Sequence, residues 1–150
     1  MEVNSFHRNA LFFTAISLLV LMKECVMTYD DEIATDICKE ASAIDGNICN
    51  ILQFPRKDQK FKINKYIKSY INEIEKLVVI LMKHKMNVSD KVKHFIAERS
   101  ARFINLTLKL DNIESSFQWN EKQLKEFKEL RERTRDVWMK VNILQDESSV

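Results

Sequence analysis

Three groups of residues could carry chemistry by type and spacing: the cysteines, the histidines, and a run of lysines around one candidate turn. The thiols are Cys25, Cys38 and Cys49. If a leader ending near residue 28 is removed, Cys25 goes with it. The remaining pair, Cys38 and Cys49, is then expected to form a disulfide in an oxidising compartment, with two buried free thiols as the other outcome. The same cut removes His7. With His7 gone, no third histidine exists to join His84 and His94, and no metal site is expected. The single glycine, Gly46, excludes a phosphate-cradling glycine-rich loop. With no Ser–His–acid or Cys–His setting either, no cofactor and no catalytic residues are expected, and the chain is read as a non-enzyme. Lys83, Lys85, Lys91 and Lys93, with His94, form a basic cluster. Its plain reading is a solvated tip, and its sharper reading is a docking patch for an acidic partner. Asn87-Val88-Ser89 and Asn105-Leu106-Thr107 are acceptors for glycosylation.

The leader itself is residues 10–22, ALFFTAISLLVLM, an uncharged run between His7-Arg8 and Lys23-Glu24. A helix of that length reaches only about 20 Å, short of the roughly 30 Å of a bilayer's hydrocarbon. A basic start, a short apolar middle and a polar exit at 26–28 are the anatomy of a secretory signal peptide. Residues 1–28 are therefore expected to be removed, leaving 122 residues, enough for a packed core. The net charge of +2 argues against a polyanion-binding role by bulk charge. Export implies an extracellular protein with no stable membrane insertion after cleavage, and nucleic acid is not an expected partner.

These groups must be positioned by helices, because one glycine and one proline starve the chain of the residues that tight turns and bulges need. The expected class is all-α: an up-and-down antiparallel bundle of three to four long helices with an N-terminal helical hairpin. The hairpin spans 29–56. Ile33, Ile37, Ala41, Ile44 and Ile48 recur at helical spacing, but one unbroken helix would hold Cys38 and Cys49 about 16 Å apart, whereas a disulfide needs Cα atoms within about 7 Å. Either the helix breaks or the bond does not form. Asp45-Gly46-Asn47 is a strong breaker, so two arms stapled by the cysteines are expected.

Pro55 closes that unit, and the bundle proper is expected over 57–146, with 147–150 as a tail. A second helix over 58–86 carries the seam Ile63, Ile67, Tyr70, Ile74, Leu77, Leu81. Tyr66, Ile71, Val78 and Met82 widen it, which places that helix at the bundle centre. The brief link at 87–88, with Ser89 as N-cap, forces an antiparallel third helix along Val92, Ile96, Phe103, Leu106, Leu110, Ile113 and Phe117. Arg99 interrupts that seam and is expected to snorkel its stem along the core rather than to pair with a buried carboxylate. Asn120 and Gln123 form a capping box for a fourth helix, with Trp119 and Leu124 as its staple. Phe127, Leu130, Thr134, Val137, Val141 and Leu144 are its inner positions.

At Ile37-Cys38-Lys39, Cys49, Leu52 and Pro55-Arg56 the sequence resembles the start of the plant invertase and pectin methylesterase inhibitor family. That resemblance implies a secreted four-helix bundle with an N-terminal hairpin that binds and blocks cell-wall carbohydrate enzymes in the apoplast. The family's second disulfide has no counterpart here, since Ala97, Arg99 and Phe103 stand near its first half. The element associated with invertase blocking is also missing, so pectin methylesterase is the favoured partner. The alternative is a secreted carrier whose amphipathic helices open to hold lipid, suggested by the wide apolar stripe over 65–82.

Overall fold

The computed structural model describes residues 3–100, 113–114 and 117–148. The described residues contain helices and no strands, and the molecule is an all-α helical bundle. Helix α1 runs over Val3–Gln53, 51 residues or about 77 Å. It stops where Pro55 removes an amide donor and pushes Phe54 out of helical geometry. A 3₁₀ turn at Lys57–Gln59 leads into α2, Lys60–His84. Helix α3 occupies 90–100 as far as it is described, and α4 spans Glu121–Ser148.

The expected hairpin at 29–56 is not present. Gly46 lies within α1, without the left-handed backbone that would turn the chain, and the helix passes through Asp45-Gly46-Asn47 unbroken. The reason is tertiary: Ala34, Ile37, Ala41, Ile44, Ile48 and Ile51 form one continuous buried stripe, and a break at Gly46 would throw half of it off the core. Because the helix continues, Cys38 and Cys49 remain about three turns apart, and the expected disulfide between them is not formed.

Helix α2 is central, packing against both α1 and α4. All six seam positions from Ile63 to Leu81 are buried, as are Ile71 and Val78, whereas Met82 is exposed. Cross-helix contacts fix the directions. Along α2 and α4, Asn64 meets Glu126 and Glu75 meets Arg133, so these helices run parallel. Along α1 and α3, Asp31 meets the amide of Ser89 and Asp45 meets Arg99, so these too run parallel. Alternating up-and-down order requires this relation between every second helix.

The turn after α2 is closed by Lys85 and Met86, both left-handed, with φ of 48° and 61°. The Met86 amide donates to the Leu81 carbonyl at 3.0 Å, satisfying a helix-end acceptor. No glycine eases this backbone. Burial of the Met86 and Val88 side chains holds it in place.

At the other end of the bundle, the Gln123 amide donates to Asn120 Oδ1 at 2.8 Å and the Asn120 amide to Gln123 Oε1 at 3.3 Å, the expected reciprocal cap. Trp119 stacks on Phe127, with centroids 5.0 Å apart. In α4, Phe127, Leu130, Thr134, Val137 and Val141 are buried as expected, together with Trp138. The third-helix positions Phe103, Leu106 and Leu110 lie outside the described residues.

Candidate functional site

The richest polar constellation lies where α1, α2 and α3 meet. The chain order Asp30-Asp31 places two carboxylates on the part of α1 that passes the α2–α3 turn. Asp30 Oδ2 accepts from Lys83 Nζ at 2.5 Å and faces His84 Nε2 at 2.5 Å. Hydrogen bonds from Lys83, then from His84, hold the Asp30 carboxyl below the usual carboxylate range. Asp31 Oδ1 accepts the Ser89 amide at 2.6 Å and so caps the start of α3 from outside its own helix. The expected Ser89 cap is therefore corrected in one respect: Ser89 stands at the right position, but its hydroxyl makes no hydrogen bond.

The lysine cluster also differs from a simple basic field. Lys83 is tied to Asp30, while Lys85, Lys91 and Lys93 are exposed. Lys91 lines a cleft of about 590 Å³ together with its neighbour Asp90 and with Asp31, Glu32 and Asp36 of α1. The tip is thus a surface of interleaved charge whose three helices are held in register by buried or half-buried acids. Such an arrangement can recognise a charged partner. His84 has the carboxylate that its sequence neighbours lacked, brought from α1. His94 is exposed, and among the described residues no three His, Cys, Asp or Glu side chains gather into a possible metal site.

Three to four helical turns further along α1 and α3, Arg99 corrects the snorkelling expectation. Its guanidinium pairs with Asp45, with Ser42 Oγ at 3.4 Å and the Phe95 ring against it, and both charged side chains are nearly buried. The sequence places Asp45 in the breaker Asp45-Gly46-Asn47. The continuous α1 turns it inward instead, where it supplies the carboxylate. Burial first, then the Asp45 charge, pushes the nearby Tyr70 hydroxyl up. Burial likewise pushes the Cys38 thiol up to about 12, so it is not a thiolate nucleophile. Neither aspartate was found by sequence reasoning. The only available signal was that Asp30 and Asp45 fall near the apolar stripe of α1, at positions where charge needs a partner.

A second surface lies between α2 and α4. A groove of about 620 Å³ is floored by Val78, Val79, Met82 and Ile143 and edged by Lys140 and Glu147. The wide α2 stripe that suggested a lipid trough is mostly spent elsewhere, since Ile63, Ile71, Ile74, Leu77 and Leu81 are inaccessible in the core.

Of the glycosylation acceptors, Asn87 is exposed in the α2–α3 turn, whereas Asn105 lies outside the described residues. The apolar run at 10–22 is helical, and Ile16, Leu18, Leu19, Val20, Leu21 and Met22 are exposed. Among the described residues no helix is long and apolar enough to cross a membrane. Comparisons with protein-family models, curated proteins and solved structures returned no match.

Proposed function

We propose that this chain is a secreted, inhibitor-like helical protein that binds and covers a cell-wall carbohydrate enzyme, with pectin methylesterase favoured over invertase. The observation that carries the reading is the locked tip. Asp30 joins Lys83 and His84 across α1 and α2, Asp31 caps α3, and Lys85, Lys91 and Lys93 stand exposed around them. A surface ordered before binding loses little conformational freedom on contact, and interleaved charge gives a partner both orientation and selectivity. Blocking then needs no bond-making by this chain. Its helices cover the partner's groove, and substrate is kept out.

Export belongs to the same reading. Ile16 and residues 18–22 are exposed and the buried stripe of α1 starts at Ala34, so cleavage near residue 28 keeps that stripe whole. The resemblance to the inhibitor family supplies the partner class, without the stapled hairpin.

The test is titration of the exported protein against pectin methylesterases and invertases at mildly acidic pH. Expected are a stoichiometric complex, loss of esterase activity, and a slower association rate for Lys91→Glu/Lys93→Glu. No complex at micromolar concentration with either enzyme class removes the reading. Mass spectrometry of the same sample checks the new N-terminus and sugar on Asn87. Lipid co-purifying with the protein would instead favour the carrier alternative.

A further inference from the structure

We propose that two copies of this chain pair through α4, antiparallel about a two-fold axis passing between Ile143 and Leu144. The inference rests on the α2–α4 groove and is independent of the enzyme partner proposed above. Val79, Met82 and Ile143 line one groove as exposed apolar side chains, each between 54% and 66% accessible, and Met139, 53% accessible, stands one turn before Ile143 on α4. A contiguous patch of this kind on a packed body marks an interaction surface. The groove beside it continues, through Met82, Leu144 and Glu147, into a further hollow of about 420 Å³.

Charge selects the occupant. Lys140 and Glu147 edge the groove seven residues apart, two turns along one face of α4, with the apolar pair Ile143 and Leu144 midway between them. Both are exposed, and neither has an ion-pair partner among the described residues. A two-fold axis between Ile143 and Leu144 sets Lys140 opposite Glu147 of the second copy, and Glu147 opposite its Lys140. It also brings each Ile143 towards the other copy's groove. An isologous contact requires a surface complementary to itself, and opposite charges at equal distances from an apolar centre meet that requirement. The resulting contact has the anatomy of a protein interface, with an apolar core and a charged rim. A fatty acid would use the apolar floor and could pair its carboxylate with Lys140, but it would leave Glu147 unanswered, whereas a second copy answers both charges.

Sedimentation velocity of the full chain between about 1 and 100 µM tests this, with circular dichroism confirming equal helicity of the variants. The expected result is a monomer–dimer equilibrium that either Lys140→Glu or Glu147→Lys weakens about tenfold, since each reversal sets two like-charge contacts in the dimer. The double variant Lys140→Glu/Glu147→Lys restores the equilibrium, because the swap re-forms both pairs. Ile143→Lys, a substitution at an exposed position, abolishes it. A monomer at every concentration overturns the proposal, as does a double variant no better than the singles. Association indifferent to all four variants would place the contact elsewhere, such as the exposed apolar leader, and also overturns it. So does a monomer that takes up a fluorescent fatty acid in this groove.

Discussion

The two halves of α1 belong to one unbroken helix and have opposite fates. The leader half is the more apolar, yet Leu18, Leu19 and Met22 are more than 60% exposed. The later half is richly charged, yet Ala34, Ile37, Ala41, Ile44, Ile48 and Ile51 are at most 7% exposed. Apolar content alone therefore does not bury a helix. The uncharged run at 10–22 has apolar residues around its girth, and its described large apolar residues Ile16 and 18–22 stay exposed, whereas the later half repeats its apolar positions every three or four residues and matches the stripe on α2. Helix formation is local, but membership of the core requires a partner.

The sharpest way to break this contrast is to damage the buried half. Ile48→Ala removes a side chain that is 1% exposed and is expected to cost about 2–5 kcal/mol in denaturant unfolding. Next is the buried pair. Asp45→Ala strands the Arg99 guanidinium and should cost about 3 kcal/mol, while Asp45→Leu/Arg99→Met should recover most of that loss, because two desolvated charges are replaced by packing groups. Gly46→Ala tests the continuity of α1 by its sign. In a helix interior with no atom within 4 Å of the added Cβ, alanine should stabilise by about 1 kcal/mol, whereas a left-handed turn glycine would be destabilised by the same change.

A smaller effect, recognised by its pH dependence, is expected at Asp30. Its carboxyl is held below the ordinary range by Lys83 and His84, so its contribution to stability is present at neutral pH and is lost as the pH falls below about 4. Thermal unfolding of Asp30→Asn should therefore fall short of the parent at pH 7 and converge with it in acid. The least effect belongs to the leader half. Leu18→Ser/Leu19→Ser/Leu21→Ser should leave the unfolding of the bundle within about 0.5 kcal/mol of the parent, and a larger loss would show that this segment has a partner in the folded protein.

Much of the architecture was legible. The α2 seam, the Asn120–Gln123 cap and the inner positions of α4 follow from spacing, because period and capping chemistry act within a few residues of the chain. The hairpin expectation failed for an equally physical reason. A lone glycine disfavours helix by only about 1 kcal/mol, and six buried residues distributed on both sides of Gly46 outweigh that preference. The disulfide expectation depended on the hairpin and failed with it. Arg99 was legible as an anomaly within its seam but not as half of a pair, since Asp45 lies more than fifty residues away in sequence.

By itself, the sequence determined an all-helical chain, its central helix, its helix ends and an uncharged apolar run at 10–22, all of which depend on neighbours a few positions apart. Only the tertiary structure decided that α1 is unbroken, that Asp30 and Asp45 face His84 and Arg99, and that Lys140 and Glu147 edge an apolar groove. Those outcomes depend on which faces meet across the bundle, where the free energy of burial overrides local turn preference and brings together groups that no sequence window contains.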